Sequence, residues 1–148
     1  GNDSTRFSTP ILYEERLYNV SGGIVTCLSA QTGEEIFKGR LQSATRPSQT
    51  DNGQDNQARR GGGNRSGRGG FGGGMGSSDY ASPIIADGKL YYIGRGGDMY
   101  VLEAGNEFKL LAVNRVTNDN EDFSATPAVS EGRIYIRSNK HLYCIGKE

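Results

Sequence analysis

Three stretches of the chain open alike: STPILYEERLYNV (residues 8–20), ASPIIADGKLYYI (81–93) and ATPAVSEGRIYIR (125–137). Aligned on Pro10, Pro83 and Pro127, each carries an apolar residue and then tyrosine at the same distance: Leu17-Tyr18, Leu90-Tyr91 and Ile134-Tyr135. Between them lie EER, DGK and EGR, polar sequences of the kind that joins the strands of a tight hairpin. The glycine in two of them takes the positive φ that such a turn needs. A second pair of segments follows, GGIVTCLSAQTGEEIF (22–37) and GGDMYVLEAGNEFKLL (96–111), and the third unit continues as SNKHLYCIGKE (138–148). Cys27 and Cys144 stand equally far after their prolines. Self-similarity of this kind is the signature of a repeat architecture.

Each full unit reads as four short strands, which in the middle unit are expected near 81–86, 89–95, 99–103 and 107–113. Tyr, Ile, Val and Leu fill them, and Gly, Asp and Asn punctuate them. KLYYI (89–93) is apolar on both faces, as expected of a sheet packed between two others. No window holds a helical period, so the expected fold is all-β. The unit resembles the pyrroloquinoline-quinone-like (PQQ-like) β-propeller repeat family, and in particular the C-terminal blades of its secreted bacterial members and of the outer-membrane-assembly lipoprotein class. TCLSAQTGEEIF (26–37) is similar to that family's blade-docking motif, with Phe37 standing where the family has tryptophan.

The resemblance implies one partial propeller domain over 1–148, of about three blades of four-stranded antiparallel sheets. The blades are expected at about 8–41, 81–116 and 125–146, the last of them incomplete. Three blades are fewer than the roughly four to eight of a closed ring. Open sheet edges invite pairing. Two expectations follow: the chain is the C-terminal part of a larger propeller, completed by further blades, or copies self-associate through the open edges.

Pro10 and Pro83 stand much further apart than Pro83 and Pro127, and the excess lies within 42–79. Ten of the 23 glycines fall in Gly61–Gly76, and Ala44, Ala58, Phe71 and Met75 are the insertion's apolar residues. Such a segment cannot bury a core, and a disordered Gly/Arg-rich loop between two blades is expected. Lengthening a loop costs little, roughly 0.6 kcal/mol per doubling. An alternative gives it a role: nucleic-acid contact through Arg59, Arg60, Arg65 and Arg68, with Phe71 stacking on a base. Five arginines against three aspartates dilute the charge of the insertion, which favours a solvated linker.

Over the whole chain 17 basic residues balance 17 acidic ones, so no global field draws it to nucleic acid or anionic lipid. No apolar run approaches the roughly 18 residues of a membrane helix, and no charged-then-apolar leader opens the chain. The two cysteines lack metal-ligand spacing. Equivalent positions two units apart place them beyond bridging distance, and they read as buried apolar residues. His141 reads as a strand-edge histidine, and NDNEDF (118–123) as a connecting turn without the ligand alternation of a calcium loop. Tyr18, Tyr91 and Tyr135 recur at one position, as structural residues do.

The family resemblance also implies an enzymatic alternative, a fragment of a PQQ-dependent dehydrogenase. Against it, the chain has no tryptophan to stack a quinone and no adjacent cysteines to cover one. No catalytic, cofactor-binding or metal residue is therefore assigned, and no cofactor is expected. The reading favoured by the sequence is a non-catalytic scaffold or protein-binding module of the cell envelope or secreted space.

Overall fold

A computed structural model describes residues 8–42 and 80–146 of the chain. The insertion expected at 42–79, with Arg59, Arg60, Arg65, Arg68 and Phe71, lies outside the described residues apart from Gln42.

Each repeat opens on a hairpin. Strand β1 (Ile11–Tyr13) pairs with β2 (Arg16–Ser21), β5 (Ile84–Ala86) with β6 (Lys89–Ile93), and β9 (Ala128–Ser130) with β10 (Arg133–Arg137), all antiparallel. Two residues make each turn, and both have positive φ: Glu14 and Glu15 at 45° and 60°, Asp87 and Gly88 at 49° and 65°, Glu131 and Gly132 at 50° and 72°. That is the turn whose twist matches the strands it joins. Glycine fills the second site in the later two turns, whereas Glu15 holds it in the first against the steric cost of its Cβ.

The chain then meanders outward. β3 (Ile24–Ser29) and β4 (Glu35–Arg40) complete the first sheet, and β7 (Asp98–Glu103) and β8 (Leu110–Arg115) complete the second. β11 (Leu142–Ile145) ends the third sheet at three strands. The described residues contain no helix, and the fold is all-β, with antiparallel sheets of 4, 4 and 3 strands. The first two sheets share an irregularity that no sequence pattern announces. The ladder to the outer strand shifts register between Cys27 and Leu28 in one, and between Val101 and Leu102 in the other.

The middle unit's first strand begins at Ile84, three residues later than its expected start. Pro83 has no N–H to give a ladder, and the Ser82 amide bonds elsewhere. The fourth strand begins at Leu110 rather than near 107, because the Glu103 amide donates to the Lys109 carbonyl and closes a longer turn.

Side-chain parity sorts the faces. In the first sheet Tyr18, Cys27, Val20 and Val25 share one face and are fully buried. The second sheet covers them: the Tyr18 hydroxyl donates to the Gly105 carbonyl at 3.1 Å, and Phe37 meets Phe108 edge-on at 6.3 Å. Burial pushes the Tyr18 phenol up to about 12. Phe37 thus packs on the second sheet, and Gly39 makes room for its partner, since a Cβ there would run into the Phe108 ring. Leu90, Leu102, Tyr92 and Tyr100 form the reciprocal buried face of the second sheet, the two tyrosines stacked at 6.2 Å. One repeat later Ile136 is buried on the same parity.

The two outermost faces are different. On the first sheet Leu17 and Leu28, the equivalents of Leu90 and Leu102, are half-buried, and their neighbour Leu12 is 63% exposed. On the third sheet Leu142 is 68% exposed and Cys144 is exposed too. Cys144 pairs with Tyr135 as Cys27 pairs with Tyr18, so its expected burial is corrected here. Among the described residues no further sheet stands against its face. Both cysteines are free thiols.

Candidate ligand cleft between the second and third sheets

Three loops converge where the second sheet meets the third: the β6–β7 turn (94–97), the connector from β8 to β9 (116–127) and the β10–β11 turn (138–141). Phe123 is the pin that holds them. It is fully buried, its amide donates to the Arg95 carbonyl at 3.0 Å, and its ring lies tilted against Tyr143 at 6.0 Å. Gly97 has to be glycine on two counts, a φ of 91° and a Cβ that would stand 2.8 Å from the Phe123 ring.

Around that pin the backbone is cross-tied. The Asp122 amide donates to Asn139 Oδ1 and the Asn139 amide to the Asp122 carbonyl, both at 2.9 Å. Arg95 Nε meets Asp122 Oδ2 at 2.6 Å, and Lys140 Nζ donates to the Asn120 carbonyl at 3.0 Å. The Ser124 hydroxyl beside Asp122 pulls that carboxyl below its ordinary range, against the effect of burial and with help from Arg95.

Glu121 is the unexpected member of the cluster. Its side chain is 0% exposed; Oε1 lies 2.7 Å from His141 Nδ1, and Oε2 accepts from the Tyr143 hydroxyl at 2.9 Å. The nearby Ser138 hydroxyl does most to lower its carboxyl, burial opposes the shift, and His141 and Tyr143 reinforce it. The His141 ring is 60% exposed and lies edge-on to Tyr143.

These ties enclose an open cleft of about 470 Å³ lined by Arg95, Gly96, Asn120, Glu121, Asp122 and Asn139. Its polar groups are engaged within the cluster: Arg95 pairs with Asp122, and the Glu121 carboxylate contacts His141 Nδ1 and the Tyr143 hydroxyl. What it offers a ligand is amide and backbone hydrogen bonding. The Ser138 hydroxyl accepts from the Lys140 and His141 amides, and the Ser124 hydroxyl donates to Asp122. Among the described residues no group of three or more histidine, cysteine or acidic residues could hold a metal ion, and no helix is long and apolar enough to cross a membrane.

The structure therefore brings together two residues that the sequence left apart. NDNEDF does connect two sheets, but one of its carboxylates is buried. His141 sits one residue before β11, where that carboxylate holds its ring. A legible signal was Phe123, an aromatic residue inside a polar run.

Three meandering sheets, stacked face to face with their first strands innermost, define part of a β-propeller. No protein-family model matches the chain, and no curated protein matches it. Solved structures do. BamB from Moraxella catarrhalis superposes with a TM-score of 0.60 at 13% identity, over 93% of this chain and 32% of that one. A quinohemoprotein alcohol dehydrogenase, ADHIIG from Pseudomonas putida HK5, gives 0.56 at 15% identity, over 90% of this chain and 16% of that one. The fold is thus that of a partial β-propeller, and the chain spans about a third and about a sixth of these two neighbours' lengths.

Proposed function

We propose that the chain is a non-catalytic propeller segment, the C-terminal part of a larger ring, and that it acts as a protein-binding scaffold in the cell envelope or secreted space. The observation that carries this is the contrast between faces. Internal sheet faces are sealed, whereas both outermost faces present apolar side chains to solvent, with Leu12 at 63% and Leu142 at 68% exposure. Likeness to BamB, a protein about three times as long over the matched fold, supports the larger ring and the scaffold class. In this reading the blades span about 8–41, 81–116 and 125–146, and 42–79 is a solvated connection between the first two.

The other neighbour supplies a second reading, a dehydrogenase fragment. The cleft does not suit a flat quinone. The chain has no tryptophan, and no aromatic side chain lines the cleft. Titration with pyrroloquinoline quinone, followed by tyrosine fluorescence and quinone absorbance, tests the choice. The scaffold reading expects no saturable change, and saturation at micromolar quinone replaces it with the dehydrogenase reading. Nucleic-acid contact through the arginine–glycine tract would instead show steep salt dependence, lost on deleting residues 59–75.

A further inference from the structure

The innermost strand of each sheet is an edge strand, and its amides lack a ladder partner on the open side. The residue before each proline makes this acute. Proline pushes that residue into extended backbone and contributes no N–H of its own, so the preceding amide is the last donor before the strand. At all three places the residue is a hydroxyl amino acid: Thr9, Ser82 and Thr126. The Thr9 amide donates to Ser82 Oγ at 2.8 Å, and the Ser82 amide donates to Thr126 Oγ1 at 2.9 Å. Each sheet thus lends a hydroxyl to the edge amide of the sheet before it. The bonds run one way along the inner rim.

Two ends of this relay are open. Among the described residues neither the Thr126 amide nor the Thr9 hydroxyl has a hydrogen-bond partner.

We infer that the third sheet's open face is a seat for one more blade of this repeat, and that the blade is recognised by a serine or threonine immediately before its first-strand proline, whose hydroxyl accepts from the Thr126 amide. This rests on the larger-ring reading. It adds a direction and a chemical requirement: a blade with alanine or valine at that place would stack yet leave the amide bare.

The chain carries a suitable probe in its own first sheet, which has Thr9 before Pro10. Two full copies joined tail to head present Thr9 of the second to Thr126 of the first at high effective concentration. Residue-resolved amide exchange is the readout, with thiol labelling of the first copy's Cys144 as a separate monitor of stacking. In the single chain Thr126 should exchange at least tenfold faster than Ser82. In the tandem it should slow to the Ser82 rate, and Thr9→Val in the second copy should restore fast exchange while Cys144 stays shielded. If Cys144 is shielded but Thr126 exchanges as in the single chain, the hydroxyl relay is refuted and the larger ring survives. If Cys144 labels as fast as in the single chain, no blade has seated, and both the relay and the reading beneath it are wrong.

Discussion

Replacing Gly39 with alanine tests how the first two sheets dock. The new Cβ would overlap three ring carbons of Phe108, a half-buried residue that also packs on Phe37. Backbone and ring cannot both stay, and overpacking of this kind costs about 1–3 kcal/mol. Phe108→Ala alone should cost about 2 kcal/mol, below the value for a fully buried ring. In that background the clash is gone, and alanine in a strand is better than glycine by roughly 0.5–1 kcal/mol. Gly39→Ala should therefore change sign, destabilising the native chain and stabilising the Phe108→Ala variant. Urea unfolding of the four proteins, read by far-ultraviolet circular dichroism, gives the coupling directly. An equal cost for Gly39→Ala in both backgrounds would refute the docking geometry.

The first hairpin strains a non-glycine residue, with Glu15 at a φ of 60°, so Glu15→Gly should raise stability by about 1 kcal/mol in the same assay. Unfolded-state entropy works against that gain, and a loss would show that the Glu15 side chain is needed. A thiol reagent should label Cys144 in native buffer and Cys27 only after denaturant, and equal rates would contradict the assigned faces. The lowered carboxyl of Glu121 adds stability that is complete above the ordinary glutamate range, about pH 4.3, and is lost as pH falls through its folded value. Glu121→Gln should flatten that acid limb, and an unchanged limb in a pH series of urea midpoints would place the carboxyl elsewhere.

The repeat was legible because hairpin chemistry is local. Pro10, Pro83 and Pro127, the turn residues and the Leu-Tyr pairs state the strand order without help from the rest of the chain. Burial depends on neighbours, which local sequence does not reveal. Cys27 and Cys144 share one repeat position, yet one is sealed by the next sheet and the other faces solvent. The cleft was illegible for the same reason: Glu121 and His141 stand in different loops, and only the turn that carries Phe123 under Gly97 brings them within 2.7 Å. The hydroxyl relay falls between. Its residues are visible before each of the three repeat prolines, but their role appears only when three inner strands lie side by side.

The central claim is that the two outer faces are made to be covered. Native mass by light scattering, over a concentration series of this polypeptide, tests it most directly. Association should grow with concentration and be abolished by Leu12→Lys together with Leu142→Lys, since a charge on each open face repels the apolar partner. A monomer at every concentration, unaffected by the two lysines, would contradict it.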